Sequence, residues 1–301
     1  MLIHSSSNTL VTDLPVGEGG SFANVPWSWE PSIVLPLVVL CGIYTVGVFR
    51  RGSIGLLRWR HASFYAGWLT LALALVSPIH ELGEQLFSAH MLQHEILILV
   101  SAPLISAAHP GATMIWAFAP GHRVNLGEWA HAVESSTPIA FLTRPLVAWL
   151  LEASALWIWH IPALYQATLT SDWIHAAQHL SFFVTAVLFW SALYGVSRSV
   201  MSYGAATFYV FATAAHCSAL GALLTFSTVL WYPVYGQTTQ SWGLSPLQDQ
   251  QLGGVIMWVP SGLVFVVIGL ALFARWLRES DHRLPHTALQ TALDARKGDR
   301  L

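Results

Sequence analysis

The sequence predicts an all-α, polytopic membrane bundle of seven transmembrane helices, with the N-terminus outside and the C-terminus in the cytoplasm. Composition is the first reason: 54% of the 301 residues are hydrophobic and only 9% are charged, whereas soluble domains carry about 25% charged residues. The mean hydropathy of +0.55 and the 15 Trp are the second, since Trp concentrates at membrane interfaces. The third is the placement of Lys and Arg, described below.

Seven apolar runs are long enough to cross a bilayer, which takes roughly 17–25 helical residues. They cover residues 32–49, 64–79, 89–107, 146–160, 174–194, 205–231 and 252–276. A shorter apolar stretch at 113–119 is predicted to be interfacial or re-entrant. The domain division that follows is an extracytoplasmic arm at 1–30, without a cleavable signal peptide, a transmembrane domain at 31–277 and a polar cytoplasmic tail at 278–301.

Lys and Arg set the predicted orientation, because cytoplasmic loops are enriched in these residues. With seven spans, all 13 Lys and Arg of the chain fall after the first, third or fifth span, or at the end of the last span and beyond it, on one face of the membrane. The opposite face carries acidic residues and neither Lys nor Arg. The formal net charge is only −2, so nothing indicates a nucleic-acid partner.

Histidine is unusually frequent, with 14 residues. Six of them fall near the outer ends of predicted spans: His80, His90, His94, His160, His175 and His179. His90/His94 and His175/His179 are spaced i,i+4, which places each pair on one helix face. Imidazole is a good ligand for copper and zinc, so these six residues are the predicted metal ligands. The alternative for each is an interfacial histidine that is satisfied by a hydrogen bond.

Sulfur ligands would favour Cu(I) at such a site. Met91, Met257 and Cys217 are available in the sequence. The two cysteines, Cys41 and Cys217, both lie in apolar stretches and offer no disulfide framework.

Two acidic residues, Glu95 and Glu152, lie inside predicted spans, where an ionised carboxylate is energetically expensive. Glu95 either orients a histidine from another helix or forms an inter-helix hydrogen bond, and for Glu152 the second interpretation is favoured. His216 lies near the middle of the sixth span and is a weaker candidate ligand. Because His216 and Cys217 are neighbours on a helix, we expect at most one of them to face a common site.

The last predicted helix begins at Asp249. This carboxylate is expected either to hydrogen-bond a histidine ring or to interact with the positive end of its own helix dipole. Gly253 and Gly254 follow it and are predicted to allow a close approach of another helix.

The chain resembles the CtaG family of bacterial cytochrome c oxidase assembly factors, the polytopic group named for caa-type oxidases. The resemblance covers residues from about 30 to 277, essentially the whole membrane region. It rests on an ordered set of short motifs: Ser77-Pro78, Leu-Phe-Ser-Ala-His-Met-Leu-Gln-His at 86–94, Ala-Pro-Leu at 102–104, Trp-Ile-Trp-His-Ile-Pro-Ala-Leu-Tyr at 157–165, His175 and His179, Phe-Trp at 189–190, Tyr-Pro-Val-Tyr at 232–235, and Asp-Gln-Gln-Leu-Gly-Gly-Val-Ile-Met-Trp at 249–258.

This resemblance implies an assembly factor rather than an enzyme, located in the bacterial cell (inner) membrane. It implies copper, bound transiently by the outer-leaflet histidines and delivered to the catalytic subunit. The implied partners are cytochrome c oxidase subunits and, as donor, a copper chaperone. Three alternatives stay open: a redox protein with histidine-ligated haem, a metal or proton transporter using Glu95, Glu152 and His216, and a scaffold that binds the oxidase without metal.

Overall fold

The computed structural model describes residues 20–52, 58–195 and 201–298, with the side chains of the last helix described up to residue 280. Most of the predicted arm at 1–30, and Arg198, therefore lie outside the described residues. Within these ranges the regular elements are all helical: α1 Pro31–Arg51, α2 Arg58–Val76, α3 Pro78–Gln85, α4 Phe87–Glu95, a π-helical turn Ile96–Ser101, α5 Ala102–Ala108, α6 Pro110–Met114, α7 Pro120–Ser135, α8 Thr137–Leu142, α9 Pro145–Trp159, α10 Pro162–Thr168, α11 Asp172–Leu193, α12 Tyr203–Thr225 and α13 Pro246–Gly298.

Between five and seven segments of the described residues can cross a membrane. Five of them are continuous by length and hydropathy: Pro31–Arg51, Phe87–Ala108, Asp172–Leu193, Tyr203–Thr225 and Pro246–Ser280. The other two are bent pairs, α2 with α3 at 44° and α9 with α10 at 82°. Each of the seven apolar runs coincides with one of these segments, so the prediction of a multi-pass helical membrane protein is confirmed at that level.

The structure corrects the end of the sixth predicted span. Helix α12 ends at Thr225, so residues 226–231 belong to a loop rather than to the span at 205–231. The loop continues through short 3₁₀ turns at Pro233–Gly236 and Thr239–Trp242. Within this loop Tyr232 and Tyr235 are buried in the protein, whereas Phe226 and Val229 are exposed.

Proline produces both bends in the bundle. The residue before a proline avoids the helical region, and Ser77 and Ile161 accordingly have extended ψ angles of 170° and 124°. Pro78 and Pro162 then occupy the first helical turn, where a missing N–H costs nothing. The bends place His80 in α3 and His160 at the end of α9, at one end of the bundle.

That end of the bundle also holds the described part of the arm. Ser28 N donates to Val76 O at 2.9 Å, and Gly20 N donates to Ser241 O at 2.6 Å. The opposite end of α1 carries Arg50, whose guanidinium donates to Ala117 O at 2.7 Å. The arm and the predicted metal ligands therefore share one end, and the arginines that follow α1 lie at the other.

Glycines permit the closest helix contacts near the start of α13. A Cβ added to Gly253 would lie 2.3 Å from Phe87 Cδ1, and one added to Gly254 would lie 2.6 Å from Thr225 N. The predicted close approach at this glycine pair is confirmed. The absence of side chains at Gly253 and Gly254 lets α13 pack directly against α4 and the end of α12.

Candidate metal-binding histidine cluster

The structure brings all six predicted ligands together in one buried group, which we call the histidine cluster. Its members are His80 from α3, His90 and His94 from α4, His160 at the end of α9, and His175 and His179 from α11. Each side chain is at most 7% exposed. Four separate elements thus converge, and the two i,i+4 pairs face each other across the interface between α4 and α11.

The ring nitrogens lie at distances that suit a shared metal ion. His80, His175 and His179 form one group whose candidate ligand atoms lie within 4.8 Å of one another, and His90, His94 and His179 form a second. Two nitrogens bound to one ion at ~2 Å each are at most ~4 Å apart. Small side-chain adjustments would therefore bring either group to bonding distance, and His179 belongs to both.

Three histidines in the cluster keep a ring nitrogen without a partner. Both nitrogens of His94, and Nε2 of His175 and of His179, are buried without a hydrogen bond among the described residues. A buried imidazole nitrogen with no partner is energetically unfavourable. These lone pairs are the ones that a cation would satisfy.

Two other histidines are held by glutamines that the sequence analysis did not identify. Gln93 Nε2 donates to Ala74 O at 2.8 Å and to His80 Nδ1 at 3.0 Å, which places the proton of a neutral His80 on Nε2. His90 contacts Gly83 O through Nδ1 at 3.3 Å and the Gln178 amide through Nε2 at 3.1 Å. The Gln178 atom facing Nε2 is the amide oxygen Oε1. Both Gly83 O and Gln178 Oε1 are acceptors, so a neutral His90 ring, which has one N–H, donates to one of the two.

The tautomer of His160 leaves its Nε2 unprotonated and able to bind a metal. Its Nδ1 lies 2.6 Å from Leu156 O, an acceptor, so the proton is on Nδ1. Its Nε2 then carries a lone pair and lies 3.4 Å from Met91 Sδ. An imidazole whose other nitrogen donates to a carbonyl is the usual arrangement of a metal-binding histidine. Met91 is one of the three sulfur residues named from the sequence, and its Sδ contacts the histidine cluster at His160 Nε2.

A layer of tyrosines closes the cluster on the loop side. Tyr235 Oη donates to Gly83 O at 2.9 Å and lies 2.8 Å from Tyr165 Oη. Tyr232 Oη donates to His160 O at 2.8 Å. Burial raises the pKa of Tyr232 and of Tyr235, so both remain neutral donors. The Tyr-Pro-Val-Tyr motif gave no indication of this role, because it depends on contacts across the bundle.

Asp249 stabilises a helix of the histidine cluster without contacting a histidine ring. Its carboxylate accepts from Phe87 N at 2.6 Å, from Ser88 N at 3.1 Å and from Ser88 Oγ. The position of Asp249 in the first turn of α13 agrees with the expected interaction with its own helix dipole, whereas its hydrogen-bond partners are Phe87 and Ser88 rather than a histidine ring. Asp249 caps the N-terminus of α4, the helix that carries His90 and His94.

The remaining predicted polar residues lie deeper in the bundle and form a separate group. Glu152 Oε2 lies 3.4 Å from His216 Nε2. The candidate ligand atoms of Glu152, His216 and Cys217 all lie within 4.8 Å of one another. The expectation that only one of His216 and Cys217 faces a common site is wrong, because the two side chains flank Glu152 from α12. Glu95 Oε2 is buried and unpaired within the described ranges.

The fold and the site define a class of protein: a multi-pass helical membrane protein with a buried, imidazole-rich cluster near one end of its bundle. A family model described as "Cytochrome c oxidase caa3 assembly factor" matches residues 42–279. The match covers most of the chain, which therefore belongs to this family. The resemblance drawn from the sequence motifs is confirmed.

The curated relatives that match the chain are distant in sequence, and each is described as an uncharacterized protein. The chain is 26% identical over 268 residues to an uncharacterized protein of Mycobacterium leprae (strain TN), a match covering 86% of this chain. It is 27% identical over 267 residues to uncharacterized proteins of Mycobacterium bovis and Mycobacterium tuberculosis. The matches span about 40% of the length of these relatives. No solved structure matches the chain.

Proposed function

We propose that this protein assists cytochrome c oxidase assembly by holding copper transiently in the histidine cluster and passing it to the catalytic subunit. Family membership supports the oxidase-assembly role. The observation that carries the copper role is the set of ring nitrogens on His94, His175 and His179 that are buried and unpaired among the described residues. Copper is the cargo in this proposal, not a resident cofactor.

The donor set favours copper over harder ions. Imidazole nitrogens suit copper and zinc, and a thioether selects Cu(I). His160 Nε2 and Met91 Sδ, 3.4 Å apart, supply such a pair next to His94, whose ring centroid lies 6.5 Å from that of His160. No cysteine lies in the histidine cluster, so the metal would be held by neutral ligands and would be easier to release than from a thiolate cage.

The packing of the rings favours an ion over haem as the ligand. The ring centroids of His175 and His179 are 4.3 Å apart, and those of His90 and His94 are 4.4 Å apart. His90 and His175 stack at 5.1 Å. A macrocycle would need a slot between two axial histidines, whereas these rings are in contact with each other.

The position of the cluster supports delivery at the outer side of the membrane. The histidines share one end of the bundle with the described part of the arm, and the distribution of Lys and Arg predicts that this end is outside. Oxidase subunits would meet the protein at this end, and a soluble copper chaperone could supply the ion there.

The test replaces His175 and His179 by Ala in cells that depend on this protein for oxidase assembly. We expect the double variant to accumulate in the membrane, to lose copper when purified and to lose oxidase activity. The matched control is the pair His122→Ala and His131→Ala, two exposed histidines on α7, which should keep both properties. Full oxidase activity in the His175/His179 variant would instead support a scaffold that does not carry metal.

A further inference from the structure

A second cluster of metal-binding side chains lies inside the bundle, away from the histidine cluster. Its members are Glu152 on α9 and His216 and Cys217 on α12, with all candidate ligand atoms within 4.8 Å of one another. Glu152 precedes His160 by eight residues on the same helix, a rise of ~12 Å. The two groups are therefore separate sites at different depths.

The contact between Glu152 and His216 is incomplete without a cation. Glu152 is only 6% exposed, and its Oε2 lies 3.4 Å from His216 Nε2. Neither atom has a hydrogen-bond partner in the part of the chain that the structure describes. Buried polar atoms that face each other unpaired are costly, and an ion between them would satisfy both.

The thiol completes the set of donors. Cys217 Sγ lies 3.8 Å from His216 Nδ1. With the His216 proton on Nδ1, pointing at sulfur, the lone pair of Nε2 faces Glu152. The ring itself is held in place by Trp149, which packs edge-on against it with ring centroids 5.5 Å apart. Trp149 is fixed in turn by its indole N–H, which donates to Thr213 Oγ1 at 3.0 Å.

Glu95 is a further acidic residue near this group. It follows His94 directly in α4, and its Oε2 is buried without a partner in the part of the chain that the structure describes. Its carboxyl group interacts electrostatically with Glu152 and with Cys217. A cation beside Glu152 would therefore also be attracted by a second acidic residue.

We propose that Glu152, His216 and Cys217 form a second metal site, which takes a thiophilic transition-metal ion. Thiolate, imidazole and carboxylate together bind copper or zinc, whereas Mg²⁺ and Ca²⁺ prefer oxygen ligands alone. The proposal stands independently of copper transport by the histidine cluster. If both proposals hold, the chain has two binding sites for the same ion, and the deeper site has the softer ligands.

Cobalt is the probe, because a Co²⁺–thiolate bond produces a charge-transfer absorption band that imidazole and carboxylate ligands do not. Purified full-length protein, freed of metal, is titrated with Co²⁺ in detergent. We expect this band in the native protein, its loss in Cys217→Ser and a cobalt affinity about tenfold or more lower in Glu152→Gln. Both substitutions keep the shape of the side chain, and helical circular dichroism checks the fold.

Two controls separate the second site from the first. Cys41→Ser removes the other free cysteine and should leave the band intact. His175→Ala with His179→Ala removes ligands from the histidine cluster and should also leave it intact, whatever happens to copper binding there. The proposal is overturned if the folded native protein gives no band, if the band persists in Cys217→Ser, or if the histidine double variant abolishes it while remaining folded.

Discussion

At the scale of single residues, hydrogen bonds divide the histidines into two kinds. His80 and His90 have ring nitrogens occupied by Gln93 and Gln178. His94, by contrast, has neither nitrogen paired among the described residues. Because a metal needs an unprotonated nitrogen with a free lone pair, proximity alone does not make all six residues equal ligands.

This division predicts unequal effects of two alanine substitutions. His94→Ala should lower the copper affinity of the purified protein about tenfold or more, because it removes a ring neither of whose nitrogens is engaged in a hydrogen bond among the described residues. His80→Ala should lower it by a smaller factor, because the Nδ1 of that ring accepts from Gln93. Competition titration with a copper chelator measures both. A larger loss in His80→Ala would show that its proton assignment is wrong.

Asp249 gives a second prediction for a single residue. Asp249→Asn should lower the free energy of unfolding by about 1–2 kcal/mol, since the amide NH₂ cannot accept from the α4 backbone as the second carboxylate oxygen does. Thermal unfolding in detergent measures the change. Asp172→Asn is the matched control, because Asp172 is exposed in the first turn of α11. Equal destabilisation by both substitutions would count against the cap.

At the scale of elements, breaks in helices position the site as much as the helices do. The bends at Pro78 and Pro162 place His80 and His160. A π-helical turn at Ile96–Ser101 directly follows His94 and Glu95, and Pro103 explains it in part, because its missing N–H leaves the normal helical bond unmade. Such turns are frequent at functional sites.

The contact between α13 and α4 predicts a steric effect. Gly253→Ala places a methyl carbon 2.3 Å from Phe87 Cδ1, and it should cost about 1–3 kcal/mol of stability, as overpacking does. Gly262→Ala lies on the same helix, with its nearest neighbour 4.0 Å away at Ser218 Oγ, and should be tolerated. Thermal unfolding compares the stabilities of the two variants. A Gly253→Ala protein as stable as the native one would show that α13 and α4 can move apart at little cost in free energy.

Sequence alone predicted the position of the apolar runs but not how several of them end. Length and hydropathy locate a span, yet α12 ends at Thr225, and the apolar residues that follow it form a loop in which Phe226 and Val229 are exposed. The i,i+4 spacing predicted that two histidines share one face of α4. It could not reveal the Gln93 and Gln178 contacts or the Met91–His160 pair, because these join residues from different helices.

At the scale of the whole molecule, the placement of Lys and Arg predicts the orientation. The described arginines at the end of α1 contact the 113–117 region, and the histidine cluster lies at the other end of the bundle. If basic residues face the cytoplasm, both proposed metal sites are reached from outside, the histidine cluster first.

Cysteine labelling in intact cells tests this orientation. In a chain carrying Cys41→Ser and Cys217→Ser, a membrane-impermeant maleimide should label Ser21→Cys in intact cells. It should label Ser280→Cys only after lysis, because that position is at the C-terminal end of the last span. Labelling of Ser280→Cys in intact cells, with Ser21→Cys protected, would invert the predicted topology and place the histidine cluster on the cytoplasmic side.

The Asp249 cap also has a consequence for the order of events during synthesis. The carboxylate and the Phe87 amide that it binds are 162 residues apart in the chain. A ribosome makes the chain from the N-terminus, so α4 emerges long before its cap exists. The helix that carries His90 and His94 is completed only when the final span has joined the bundle. A nascent or truncated chain would lack a finished histidine cluster, and, if the cluster holds copper as proposed, uptake of the ion would be delayed until the protein is whole.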